Sequence, residues 1–228
     1  MKFIVVFIIM SYSTTLWADK PIASFFVMVD YQEQNVKRNL FLAAQKLNGQ
    51  ILVPGQVFSF NQIVGEGSVR NGFLPGRIYF RDSVVLEPGG GLCVVSSSLY
   101  NLFLVSGLQI IERHRHSKPV SYVPLGLDAT IRYGLKDLKV KNPYTMPLTL
   151  RINLSQDRLS MQLWAEKALP VRYEMYTEEE EDPYPLQIPG KEILSGISVS
   201  VYRRKWLGKT LRESKLLYTD YFPPMYKE

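Results

Sequence analysis

Pro88-Gly89-Gly90-Gly91-Leu92-Cys93-Val94-Val95-Ser96-Ser97-Ser98-Leu99-Tyr100-Asn101-Leu102-Phe103-Leu104-Val105-Ser106-Gly107 is the stretch on which the fold turns. The proline and three glycines break whatever precedes them, and Cys93 to Ser106 then reads as the clearest helix in the chain. Val95, Leu99, Leu102 and Phe103 share one face at three- and four-residue spacing, and Gly107 supplies the C-terminal stop. Upstream, a second helical pattern starts at Asn35 and repeats through Val36, Leu40, Ala43, Ala44 and Leu47 before Asn48-Gly49 ends it. Pro21–Val29, Gln50–Val53, Phe58–Asn61 and Arg77–Leu86 read as extended segments, with a Gly-rich loop over 61–72. Downstream the chain is strand and turn: Gln109–Arg113, Ala129–Tyr133, Leu148–Leu154 and Leu159–Ala165. An acidic, Pro-rich segment over 178–189 reads as exposed linker, and Ile197–Arg203 with Leu216–Tyr221 as a terminal strand pair. The expectation is α+β: a single domain whose cysteine-bearing helix packs on a mainly antiparallel sheet, plus a small C-terminal β appendage. The boundaries are 19–170 for the domain, 171–192 for the linker and 193–228 for the appendage.

At 228 residues with 46% hydrophobic and 21% charged content, the composition is that of a globular chain and excludes a disordered or fibrous one. Lys and Arg number 27 against 21 Asp and Glu, and five of the acids form the run Glu178–Asp182. The remainder of the chain is therefore distinctly basic and suits an anionic surface such as a cell wall. The first 18 residues combine Lys2, the apolar run Phe3–Met10 and a small residue, Ala18, before Asp19, which describes a secretory signal peptide. The apolar run is shorter than the roughly 20 residues a bilayer span needs, and no later segment reaches that length. The mature protein is expected to be exported, without a spanning segment. Dispersed charge and the outward address argue against nucleic acid as a partner.

An exported chain with one cysteine, Cys93, raises the question of a reactive thiol. A thiol on the first turn of a helix lies among unsatisfied N–H groups at the positive end of the helix dipole, which favours thiolate. Gly90 and Gly91 leave backbone N–H groups near that thiol to meet an oxyanion. The only two histidines, His114 and His116, lie in Glu112-Arg113-His114-Arg115-His116-Ser117. If the preceding strand continues, both share a face with Glu112. Asp128 is the candidate orienting acid for an imidazole base. The same four residues admit a zinc site, though their spacing is not a recognised ligand pattern, and a third reading has both histidines bonding a buried loop. Arg77, Arg113, Arg115 and Lys118 are positioned either to hold carboxylates or to form a solvated face. Tyr122 lines either the cleft or the core.

The motifs Pro54–Asn61 (PGQVFSFN), Gly89–Asn101 (GGGLCVVSSSLYN), Glu112–Tyr122 (ERHRHSKPVSY), Gly126–Thr130 (GLDAT) and Tyr133-Gly134, in that order, resemble the VanW family. That family is named from a vancomycin-resistance gene cluster and associated with the bacterial cell wall. Some members are similar to cysteine-dependent transpeptidases that make L,D-type peptidoglycan cross-links. The resemblance implies Cys93 as nucleophile, His114 and His116 as the histidine pair, and Asp128 as the acid. It also marks two departures: Val94 stands where the family usually has glutamine, and Ser98 where it usually has threonine.

The resulting expectation is cysteine-dependent acyl transfer on peptidoglycan stem peptides, catalysed by Cys93, His114 or His116, and Asp128 without a cofactor or metal. Gly90, Gly91, Val94, Ser96, Arg77, Arg113 and Tyr122 are expected to bind substrate or oxyanion. A wall-binding module without chemistry and a thiol peptidase or amidase are the alternatives.

Overall fold

The computed structural model describes residues 21–80, 83–183 and 193–226; the expected leader, 1–18, lies outside them. The chain runs β1 (Ala23–Met28), α1 (Gln34–Leu47), β2 (Ile51–Leu52), β3 (Val57–Ser59) and α2 (Phe60–Val64). It continues through β4 (Pro75–Phe80), β5 (Ser83–Pro88), α3 (Leu92–Val105), β6 (Gln109–Glu112) and β7 (Lys139–Lys141). After β8 (Leu148–Leu154) and β9 (Arg158–Trp164) come β10 (Val171–Asp182), β11 (Ile193–Leu194), β12 (Gly196–Leu207), β13 (Thr210–Phe222) and β14 (Met225–Tyr226).

An antiparallel sheet in the order β1-β9-β8-β2 is the platform. Its inward positions alternate along the strands: Leu148, Leu150 and Ile152 on β8, and Leu159, Met161 and Leu163 on β9. Both α1 and α3 lie on that layer and pack on each other. Every residue of α3 except Cys93 is buried. The sequence permits this because α3 has apolar or small residues on all sides, the mark of a helix enclosed by protein. Burying its hydroxyls requires local partners, which Ser96, Ser97 and Ser98 find in backbone carbonyls.

The triple-glycine entry is a packing device. Gly90 lies so close to the hairpin β4-β5 that a Cβ on it would fall 2.4 Å from the Gly76 carbonyl carbon. Asn39 of α1, fully buried, ties the region together: its amide donates to Leu74 O and Gly90 O, and its carbonyl accepts from Leu74 N. Gly91 caps α3 in the left-handed region, at φ 98°, against the side chain of Val36.

Several segments differ from the sequence expectation. The acidic run is not linker over its described part: Glu178–Asp182 completes β10, with Glu178 opposite Ser200 and Glu180 opposite Ser198 on β12. Pairing overrides the poor strand propensity of glutamate, and charge on an edge strand discourages further pairing. Residues 129–133 form no strand; Thr130 makes a single bridge to His114. The 61–72 loop contains most of α2 and a 3₁₀ turn at Val69–Asn71. The long sheet β10-β12-β13 is larger than the expected appendage, and Met175, Val199, Val201 and Phe222 enter the main core. Among the described residues, no helix is long and apolar enough to cross a membrane.

Candidate active site

Cys93 stands at the half-buried start of an otherwise enclosed helix. Thr130 Oγ1 lies 3.5 Å from its sulfur and the carbonyl of Ile131 4.0 Å away. The segment carrying Thr130 is fixed to α3 by hydrogen bonds. Ser96 and Ser97 donate to Ala129 O, Ala129 N donates back to Ser97 Oγ, and Asn101 donates to Leu127 O. Asp128 is thereby held near the helix that carries Cys93.

Asp128 and His116 form the tightest contact of the site. Asp128 Oδ2 accepts from His116 Nδ1 at 2.6 Å and from the His116 backbone N–H at 2.7 Å. With Nδ1 engaged, Nε2 is the ring nitrogen left for the Cys93 thiol, to which His116 is electrostatically coupled. Tyr122 stands edge-on to the same imidazole, its hydroxyl 3.4 Å from Nε2.

The charges follow from these contacts. Burial pushes the Cys93 thiol up, but interactions with His116, Thr130 and the Ile131 carbonyl together outweigh it, so the thiol lies below its ordinary value. Burial acts against imidazolium at His116, yet Asp128 and the thiolate raise it to about 9. Burial likewise opposes the Asp128 carboxylate, and bonding to His116 with the charge of Arg113 holds it below its ordinary value. A lowered thiol beside a raised imidazole is the electrostatic signature of a thiolate–imidazolium pair.

His114 does not join this group. β6 ends at Glu112 with a register shift after Ile110, so alternation does not carry both histidines to one face. His114 Nε2 instead contacts Glu112 Oε1 at 3.0 Å, and Glu112 also accepts from Lys139 Nζ and Asp137 N. The four-ligand zinc set is therefore not assembled. Its backbone still contributes, since the His114 carbonyl accepts from Thr130 N and seats Thr130.

The comparisons with known proteins agree with the motifs. The family described as "VanW like protein" matches residues 35–164. The chain belongs to the VanW family. Relatives are "Uncharacterized protein YoaR" from Bacillus subtilis, 37% identical over 50% of this chain and 37% of its own length, and "Vancomycin B-type resistance protein VanW" from Enterococcus faecalis, 33% identical over 64% of this chain and 54% of its own. The chain thus spans about half or less of these relatives. No solved structure matches.

The VanW-matched region contains Cys93, His116, Asp128 and Tyr122, but several residues expected at substrate have other work. Val94 is buried, and its N–H donates to Gly91 O, so neither side chain nor amide faces the cleft. Gly90 N donates to Glu87 O and its Cα packs on Gly76. The Leu92 and Val95 amides also close turn bonds, whereas among the described residues the Cys93 N–H has no backbone acceptor. Ser96 is fully buried under Ala129. Arg77 is exposed and pairs with Glu33 at 2.8 Å. Arg113 is buried between Asp128 and Asp220. Sequence reasoning missed Thr130 and Asp220; an acid 107 residues from its partner carries no local signal.

Proposed function

We propose that this is an exported, cysteine-dependent acyltransferase acting on peptidoglycan stem peptides. The observation that carries the reading is His116 hydrogen-bonded to Asp128 and electrostatically coupled to Cys93, with a lowered thiol at one end and a lowered carboxyl at the other. Cys93 thiolate attacks an amide carbonyl; the C–N bond breaks as His116 protonates the departing amine, leaving a thioester. The amine of a second stem then attacks, His116 takes its proton and the thiolate leaves, so one amide replaces another. Water in place of that amine gives hydrolysis. The Cys93 N–H is the group best placed to meet the oxyanion. Basic charge outside the acidic run and the leader-like first 18 residues support an outward, anionic setting.

The test is muropeptide analysis of sacculi incubated with wild-type and Cys93→Ala protein. Cross-linked stems formed only by the wild type are expected; identical profiles would remove the proposal. A second reading, a wall-binding module without chemistry, is suggested by Val94 in place of the family's usual glutamine, but the burial of Val94 away from the cleft weakens that support. Iodoacetamide separates the two, because a thiolate at neutral pH alkylates fast and an ordinary thiol slowly.

A further inference from the structure

Arg113 leaves the end of β6 and runs between two carboxylates, its side chain only 8% exposed. On one side Nε donates to Asp128 O at 2.7 Å and Nη2 to Asp128 Oδ1 at 2.8 Å. On the other, Nη1 reaches both oxygens of Asp220, at 2.9 and 2.7 Å. Its guanidinium lies over the rings of Tyr100 and Tyr218, whose hydroxyls are hydrogen-bonded to each other. Tyr218 also donates to Gly126 O, which Nη2 of Arg113 reaches as well. Asp220 and Tyr218 are on β13, beyond residue 164, where the family match ends.

We propose that Asp220 is a positioning residue for the site: it anchors Arg113, and Arg113 fixes the carboxylate of Asp128 that holds His116 toward Cys93. The Asp128 carboxylate takes three donors, two from His116 and one from Arg113, so Arg113 sets which way it faces. Arg113 also borders a cavity of about 750 Å³ lined by Leu108, Tyr173, Arg203 and Tyr218. Without Asp220, one arm of the guanidinium is unpaired beside open space, and the long side chain is free to leave Asp128. The groups facing Asp220 are Arg113 and Arg115 from the segment after β6, Asp128 from its loop, Tyr100 from α3 and Tyr218 from its own strand.

This inference rests on the proposed triad, and its test separates the two. Thiolate absorbance gives the Cys93 titration, and imidazole proton resonances give that of His116, with His114→Gln assigning the two histidines. These are macroscopic values of a coupled pair, and their gap measures the pairing. In Asp220→Ala the gap is expected to narrow by about one pH unit, about a tenfold loss of the ion pair. Asp220→Asn, which keeps the shape, narrows it less, and Asp220→Glu restores part of it. A folded variant whose gap is unchanged overturns the proposal, including the case in which both values move together as a pure charge effect. Should the alanine variant not fold, the asparagine variant decides alone. A wild-type protein with no gap overturns both the triad reading and this positioning role, whereas a normal wild-type gap that survives loss of Asp220 removes only the latter.

Discussion

At Cys93 and His116 the two titrations affect stability in opposite senses. His116 is raised to about 9, so its contribution is full below the unfolded value of 6.5 and is lost as pH rises through 9. Cys93 is lowered, so its contribution is full above 9.0 and is lost as pH falls through its folded value. Between the folded value of Cys93 and pH 9 the two slopes oppose each other. Cys93→Ser keeps only the histidine contribution, reduced by loss of the thiolate, and its stability is expected to fall as pH rises above 6.5. Urea melts of both proteins between pH 6 and 9 check this; parallel curves would dismiss the ion pair. Val94→Gln is expected to lose about 1–3 kcal/mol by burying an amide without partners, with no gain in Cys93 alkylation. A faster thiol in that variant would restore the oxyanion role that the buried side chain argues against. Cys93, His116 and Asp128 were legible because each belongs to a short local motif. The choice between the histidines was not, because it depends on where β6 stops pairing.

Among the elements, α1 and α3 were readable from helical spacing, and β8 and β9 from alternation, since each periodicity records one buried face. β10 hid behind its acids: its pairing with β12 is long-range, and its exposed end needs no apolar pattern. The glycines before α3 were legible as a break, but their purpose belongs to the contact with β4-β5. Gly90→Ala forces a methyl against Gly76 backbone, where neither side has a flexible end to yield. A loss of about 3 kcal/mol is expected from such overpacking, with slower alkylation as the Cys93 turn is displaced. Gly134→Ala is the control: its φ is 77° with nothing within 4 Å, so strain of about 1–2 kcal/mol applies but the thiol is untouched. Equal alkylation rates in the two variants would separate the glycine entry from the site.

For the whole molecule, the question is whether the long C-terminal sheet folds with the VanW-matched body or apart from it. Four contacts argue for one cooperative unit. Val199 and Val201 close over Gly126, Tyr218 donates to Gly126 O, Arg203 donates to Leu108 O, and Arg113 bridges to Asp220. Two tryptophans report the halves separately: Trp164 ends β9 in the body, and Trp206 lies near the end of β12. In a Trp17→Phe background, Trp164→Phe and Trp206→Phe variants should give coincident urea midpoints, as a two-state domain requires. Gly126→Ala probes the joint directly. Its φ of 80° disfavours a side chain, and a Cβ there would fall 2.7 Å from Val201 Cγ2. Strain and overpacking together are expected to remove about 2–5 kcal/mol. Because the joint is shared, both reporters should lose that stability together. A midpoint that drops for Trp206 alone would mean that the sheet detaches while the body stays folded, and Asp220 would then be a removable partner of the site.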